Sequence, residues 1–353
     1  MGGAGRTWAR HCVSVWRRRA HQAGAWSVAL LLVLALSAWL ARRTHATQAP
    51  APVPDLTNTA AATSTSTSTS TPTSISIEQW LVADQAMDWR VARLTDNPAV
   101  LAIEFPNLLA QGLTFNRVAA LIEKKGAPRE RVLTDVELAK LIDGAGDNTE
   151  TFYQGHDYTG ADLARFFSMV AVQQLTLNAP ELRLRSLLLQ EGLLREPSPG
   201  LYAVISRQAV IGFSAVQPDN PATPQDESID AQRRASVLLH EFSHAQFFTR
   251  TDYQQACWSF WTDALDASER ARLRAYLGRL DYDVGNEALM VNETQALLMH
   301  TPDPRAFNAA ALGLSEALLE SWRRRFRQAH DAVSRNSPRA PSRPTSNSIE
   351  PTP

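Results

Sequence analysis

The chain is short of cysteine and lysine and carries no excess of either charge. Its 353 residues hold two cysteines, Cys12 and Cys257, which lie on opposite sides of a long apolar run and so are expected in different compartments. That excludes an intrachain disulfide and a cysteine-based zinc site. Lysine occurs only at Lys124, Lys125 and Lys140; arginine supplies the remaining basic residues, a bias that points to a GC-rich genome and not to chemistry. Lys+Arg number 35 against 36 Asp+Glu, and the net charge of -1 leaves no basic field for a dedicated nucleic-acid binder. No internal repeat is visible. What is present is an apolar fraction of 44%, enough for a real core and incompatible with wholesale disorder. The length suits one large domain or two small ones.

The longest uncharged stretch is 23–41, AGAWSVALLLVLALSAWLA. As a helix it reaches roughly 28 Å, close to the thickness of a bilayer core. Trp26 and Trp39 sit near its ends, where indole rings favour the interface. Arg6, Arg10, Arg17, Arg18 and Arg19 precede it and only Arg42 and Arg43 follow, which keeps the N-terminus cytoplasmic and exports the rest. The expected organisation is a basic N-terminus over 1–22, a transmembrane signal-anchor over 23–41 and a disordered Ser/Thr/Pro/Ala-rich stalk over 42–76. A globular domain over 77–333 in the periplasm or beyond and a disordered tail over 334–353 complete it. The competing reading is a cleaved signal peptide and a secreted protein. The run is long for that, and Trp39 occupies the -3 position of a cut after Ala41.

Within 77–333 the pattern predicts a mostly helical α+β domain with a small sheet. Trp80, Ala83, Met87, Val91 and Leu94 follow helical spacing, so a helix is expected over 77–94. Further helices are expected over 108–125, 134–142 capped by Thr134, 161–174, and 178–194 with Asn178 as cap followed by an early proline. Residues 201–216, LYAVISRQAVIGFSAV, are rich in β-formers and predict a hairpin or two short strands, followed by a polar loop. Helices return over 229–249, 253–265, 268–280, 286–300 and 309–333.

The chemistry-bearing segment is RRASVLLHEFSHAQFFT, with His240-Glu241-Phe242-Ser243-His244 in the HExxH pattern. On a helix, residues four apart share a face, so both imidazoles reach one metal ion. Zinc suits two neutral imidazoles, one carboxylate and an open position for water. Glu241, one position round from His240, contacts that water without binding the metal. The ion lowers the water's pKa towards ~7, and the glutamate takes its proton as it attacks a carbonyl. Leu238, Leu239, Phe242 and Ala245 give the helix an apolar surface, and polar groups packed beside such a surface need compensation.

This segment resembles the zincin superfamily of zinc metallopeptidases, over well under half the chain. The metzincin extension is absent: Phe247 stands where that pattern has glycine and Arg250 where it has the third histidine. The resemblance therefore implies a gluzincin-like site, with a glutamate from a downstream helix as third ligand. In NEALMVNETQALLMH the choice falls on Glu293, whose flanking turns are apolar, so a lone carboxylate there calls for a cation. Glu287 is the runner-up, although near a helix start it is stabilised by the dipole without a metal. Asp283 and Asp281 are outsiders.

A group that polarises the substrate oxygen is also expected. The candidates are His300, about two turns beyond Glu293, and Tyr282, with Tyr253 and Arg305 as alternatives. Asn292 and Asp263 are candidates to hold a ligand imidazole's other nitrogen. The polar-aromatic cluster at 153–158 lines a substrate cleft on one reading and caps the next helix on the other. Trp258, Phe260 and Trp261 read as packing, Cys257 as a buried thiol, and Arg323, Arg324, Arg325 and Arg327 as a solvated helix face.

The function implied is a membrane-anchored zinc metallohydrolase, a peptidase with Glu241 as general base. Its partners are a peptide or envelope-protein substrate, seated by edge addition along a strand from 201–216, and the membrane. The oligomeric state stays open. Two other readings share the residues: a non-catalytic envelope scaffold with a structural zinc, and a zinc hydrolase of a non-peptide amide or ester.

Overall fold

The computed structural model describes residues 74–82, 86–280 and 282–336. All of them belong to one of the chain's two units; the other, Arg17–Thr71, lies outside the described residues. In chain order the elements are β1 (Ser74–Ile75), α1 (Ile77–Val82), β2 (Arg90–Leu94), β3 (Val100–Phe105), α2 (Leu108–Ile122), α3 (Asp135–Ala145) and β4 (Gly155–Thr159). There follow α4 (Gly160–Val172), α5 (Ala179–Gln190), β5 (Leu194–Ser198), β6 (Leu201–Val204), β7 (Ala209–Ser214) and α6 (Ala231–Thr249). The last are α7 (Thr251–Ser259), α8 (Ala267–Arg279), α9 (Glu287–His300) and α10 (Glu316–Asn336). The class is α+β and largely helical.

A five-stranded sheet runs in the order β1-β2-β3-β7-β4, with β3 and β7 parallel and β4 antiparallel to β7 at the edge. β3 and β7 are buried along their whole length, as strands covered on both faces must be. Period-two alternation divides their side chains. Leu101, Ile103, Phe105 and Val210 join a core with residues of α2, α4 and α5, whereas Val100, Ala102, Ile211 and Phe213 join one with Val237, Leu238 and Ala245 of α6. A third core, with Phe260, Leu277, Met290 and Trp322, knits α7 to α10 together. The helix bearing the HExxH residues is thus caught between sheet and helical bundle.

Two features fix α6. The Asp230 side chain accepts from the Arg233 N–H and caps its first turn. Arg234, 2% exposed, then donates to the fully buried Glu104 of β3 and, at 3.0 Å, to the Trp80 carbonyl. Removing one partner of such a pair costs on the order of 3–5 kcal/mol, because the other charge stays buried. The clamp therefore sets the register of the helix on the sheet.

Several expectations are corrected. The transmembrane helix falls on 23–41, outside the described residues, and no helix among the described residues is long and apolar enough to cross a membrane. The membrane-spanning element is withdrawn from the architecture, and the location outside the cytoplasm that depended on it is withdrawn too. The helix expected over 77–94 stops at Val82. Arg90–Leu94 is a strand, because antiparallel pairing with β3 satisfies its backbone and puts Ala92 and Leu94 in the core. Folded elements also begin at Ser74 and run to Asn336, beyond 77–333 at both ends. Residues 201–216 do form two strands, in different sheets: β6 pairs with β5, and β7 sits between β3 and β4. A substrate strand cannot add to β7, since both its edges are taken. Thr134 and Asn178 cap their helices as expected.

Candidate metal centre

α6 turns His240 and His244 towards α9, where Glu293 projects from the middle of the helix. The two Nε2 atoms are 3.1 Å apart; His240 Nε2 lies 3.8 Å from Glu293 Oε2, and His244 Nε2 lies 3.7 Å from Glu293 Oε1. The three donors group within 4.8 Å of one another. A tetrahedral ion with bonds near 2.0–2.1 Å separates its ligands by about 3.3 Å, so the set fits such an ion with small adjustments. A second observation agrees. Glu293 Oε2 is buried with no hydrogen-bond partner, an arrangement that is costly for a carboxylate unless a cation meets it.

Thr301 decides which nitrogen of His240 faces inwards. Its hydroxyl donates to the Ala296 carbonyl at 2.9 Å, using its one proton, and lies 2.8 Å from His240 Nδ1. With that proton on the carbonyl, the hydroxyl oxygen is an acceptor for Nδ1–H, an arrangement that leaves the lone pair on Nε2, the atom that points at His244 and Glu293. Burial, reinforced by His244 and His300, holds His240 well below the usual imidazole range and keeps the ring neutral. Thr301→Val is expected to lower zinc affinity roughly 10- to 100-fold, and Thr301→Ser to restore it, in a competition titration with a chromophoric chelator. Equal affinity of all three proteins would remove Thr301 from this role.

Glu241 occupies the next position on α6, 7% exposed, and is hydrogen-bonded to Asp157 of β4. Burial raises its carboxyl well above the usual range, and the Asp157 charge raises it further. Strand β4 passes so close that a Cβ on Gly155 would fall on the Glu241 carboxylate, which explains a glycine there. Burial likewise pushes the Glu293 carboxyl up to about 7, against the opposing pull of His244; a bound dication would reverse this.

Glu123, which caps the end of α2, lines the same pocket and accepts from the Tyr158 hydroxyl at 3.1 Å. Burial, then repulsion from Asp157, pushes its carboxyl from 4.5 up to about 8. A raised acid subtracts stability progressively as pH climbs from the unfolded to the folded value, here between about 4.5 and about 8. Glu123→Gln, which keeps an acceptor for Tyr158, is expected to raise Tm at a pH above this window and to leave it little changed at about pH 4. Thermal denaturation at both values checks this; an equal shift at each would contradict it.

The other expected residues separate clearly. Tyr282 lines the pocket and hydrogen-bonds Glu293. Glu287 is absent from the ligand group, its carboxylate accepting from Trp261 Nε1 and pairing with Arg274. Asp283 accepts from the Gly285 N–H at 2.9 Å, and Asp281 lies outside the described residues. His300 is not a pocket residue. It meets the Tyr253 hydroxyl at 2.9 Å, and that hydroxyl donates to Gln295 at 2.6 Å. Arg305 forks onto Asp230 and Asp303 at the start of α6. Asn292 accepts from Gln295, and Asp263 from Thr262. Neither is hydrogen-bonded to a ligand imidazole.

Sequence reasoning missed Glu123 and Thr301 as site residues, and named Gly155 and Asp157 only within the cluster at 153–158 that one of two readings placed at a substrate cleft. The cluster at 153–158 does line the pocket, through Tyr153, Gln154, Gly155 and Asp157, and β4 is the sheet edge on which it sits. For Thr301 no sequence signal existed, because its role depends on where α9 ends against α6. No family model, no curated protein and no solved structure matches the chain.

Proposed function

We propose that the chain is a zinc-dependent hydrolase of gluzincin-like type, acting on peptide bonds. The observation that carries this reading is the convergence of His240, His244 and Glu293 at 3.1–3.8 Å beside Glu241 in one pocket. These three hold the ion. Bound there, zinc would supply Lewis acidity that polarises a carbonyl and lowers the pKa of a bound water towards ~7. A bound dication would bring the Glu241 carboxyl back down; as the carboxylate, Glu241 would accept a proton from the attacking water, hold it as the carboxylic acid and return it to the leaving amine, so that one water and one amide give an acid and an amine. Asp157 orients Glu241 through their hydrogen bond. Tyr282, in the pocket wall, is the candidate to polarise the substrate oxygen; His300 is engaged with Tyr253 instead.

The peptide preference rests on β4. Among the described strands it pairs only with β7, and its Gly155 and Asp157 line the pocket. An extended backbone laid beside it gains main-chain hydrogen bonds, which a non-peptide amide or ester does not offer in series. A scaffold with a structural zinc has no use for Glu241 aimed into the site by Asp157. The test is elemental analysis of the purified full chain, together with cleavage of a diverse peptide library before and after chelation. Absence of zinc, or zinc without chelator-sensitive cleavage, would overturn the reading.

A further inference from the structure

Behind the three donors, α6 and α9 are joined by a second set of contacts, made by uncharged groups that do not line the pocket. Ser243 stands between the ligands His240 and His244 in the chain, and its hydroxyl donates to the His240 carbonyl at 2.7 Å. With that proton used, the hydroxyl oxygen is an acceptor. Gln295 of α9, two residues beyond Glu293, donates its amide N–H to it at 3.1 Å. The same amide nitrogen donates to Asn292 Oδ1 at 3.3 Å, and the amide oxygen accepts from the Tyr253 hydroxyl of α7 at 2.6 Å. The Tyr253 oxygen meets His300 Nε2 at 2.9 Å. Donors and acceptors match along the whole series, which fixes the orientation of the Gln295 amide.

Ser243 and Gln295 are buried, at 0% and 1% exposed. A buried amide is destabilising unless its groups are paired, so filling space does not account for a glutamine here. What it adds over an apolar side chain is direction. Apolar packing is non-directional and lets one helix slide on another, whereas a satisfied hydrogen-bond network specifies one arrangement. The donors come from both helices, two from α6 and one from α9. They lie 3.1–3.8 Å apart, against about 3.3 Å around a tetrahedral ion. A slide of about 1 Å would spoil that spacing.

We propose that Gln295 is a positioning residue of the metal centre: by tying Ser243 on α6 to α9 it sets the separation of the two helices, and thereby the spacing of the three donors. The proposal rests on His240, His244 and Glu293 being the ligands. It also gives the Tyr253–His300 pair a part, since the hydroxyl holds the amide oxygen and turns the N–H towards Ser243.

The test measures metal binding and needs no substrate. Full-length wild type, Gln295→Leu, Ser243→Ala and the double variant are stripped of metal and titrated with zinc against a chromophoric chelator. The same proteins are loaded with cobalt(II), whose visible absorption reports the geometry of its ligands. Each single variant is expected to bind zinc roughly tenfold more weakly and to show an altered cobalt spectrum. The double variant should lose no more than the weaker single, because both remove one shared contact. Leu188→Ala, in the core formed with α2 and α4, is the control for general loss of stability: it should lower Tm and keep the wild-type affinity and spectrum. Should Gln295→Leu fail to fold, Ser243→Ala, which removes a single hydroxyl, decides alone. Unchanged affinity or an unchanged spectrum in the folded variants overturns the proposal. So does a loss shared by Leu188→Ala, or a double variant whose loss is the sum of the two singles. Failure of the ligand assignment shows separately, as wild-type protein that binds neither ion or His244→Ala protein that binds both as tightly, and it removes the proposal with it.

Discussion

Glu241→Gln is expected to lower kcat by about 10²–10⁴-fold, the range for loss of a positioned general base, while the bound zinc is unchanged. The amide is close to the carboxylate in size, so Gly155 still has room beside it and the hydrogen bond to Asp157 persists in altered form. It cannot accept the water's proton at neutral pH. His240, His244 and Glu293 are untouched, so metal content separates this loss from loss of the ion. Steady-state kinetics on a peptide cut by the wild type, with elemental analysis of both proteins, decides the matter. A variant that keeps zinc and full turnover would dismiss Glu241 as the base.

Loss of a ligand should act differently. His244→Ala and Glu293→Ala each remove one donor of the group that lies within 4.8 Å, and both are expected to emerge from gel filtration with little zinc and no activity. The thermal readout is independent of turnover. Metal at a hundred times its dissociation constant stabilises a protein that binds it only when folded by about 2.7 kcal/mol, which is roughly 5–10 °C in Tm for a domain of this size. That zinc-dependent rise is expected in the wild type and absent in both variants. Glu287→Ala serves as control. Its carboxylate serves Arg274 and Trp261, so it should lose some stability and keep the full response to zinc. A zinc-dependent rise in His244→Ala equal to that of the wild type would place the ion elsewhere.

Much of the helical part was legible. Caps at Thr134 and Asn178 act locally, between residues three apart, and the spacing of His240 and His244 needs only one turn of one helix. The choice of Glu293 over Glu287 followed from an apolar stripe around a single acid. The strands were harder. β3, VLAIEF, is a short apolar run with a glutamate in it, and its partners Arg234, 130 positions away, and Arg90 on the neighbouring strand explain that glutamate. The spacing of Trp80, Met87, Val91 and Leu94 imitated a helix, and pairing of β2 with β3 overrode it. For β6 and β7 a hairpin and two separate strands both stayed open, because strand propensity carries no information on which neighbour a strand will take.

The division follows from the range of the forces involved. Local sequence settled most of the segments that coil and the two imidazoles that share a helical face, because those choices depend on neighbours within a few residues. Only the tertiary structure decided that β4 is the edge strand, that Asp157 meets Glu241, that Thr301 fixes the His240 tautomer and that Gln295 meets Ser243. Those contacts join residues dozens of positions apart, and burial in a shared low-dielectric pocket, not their order along the chain, makes them strong.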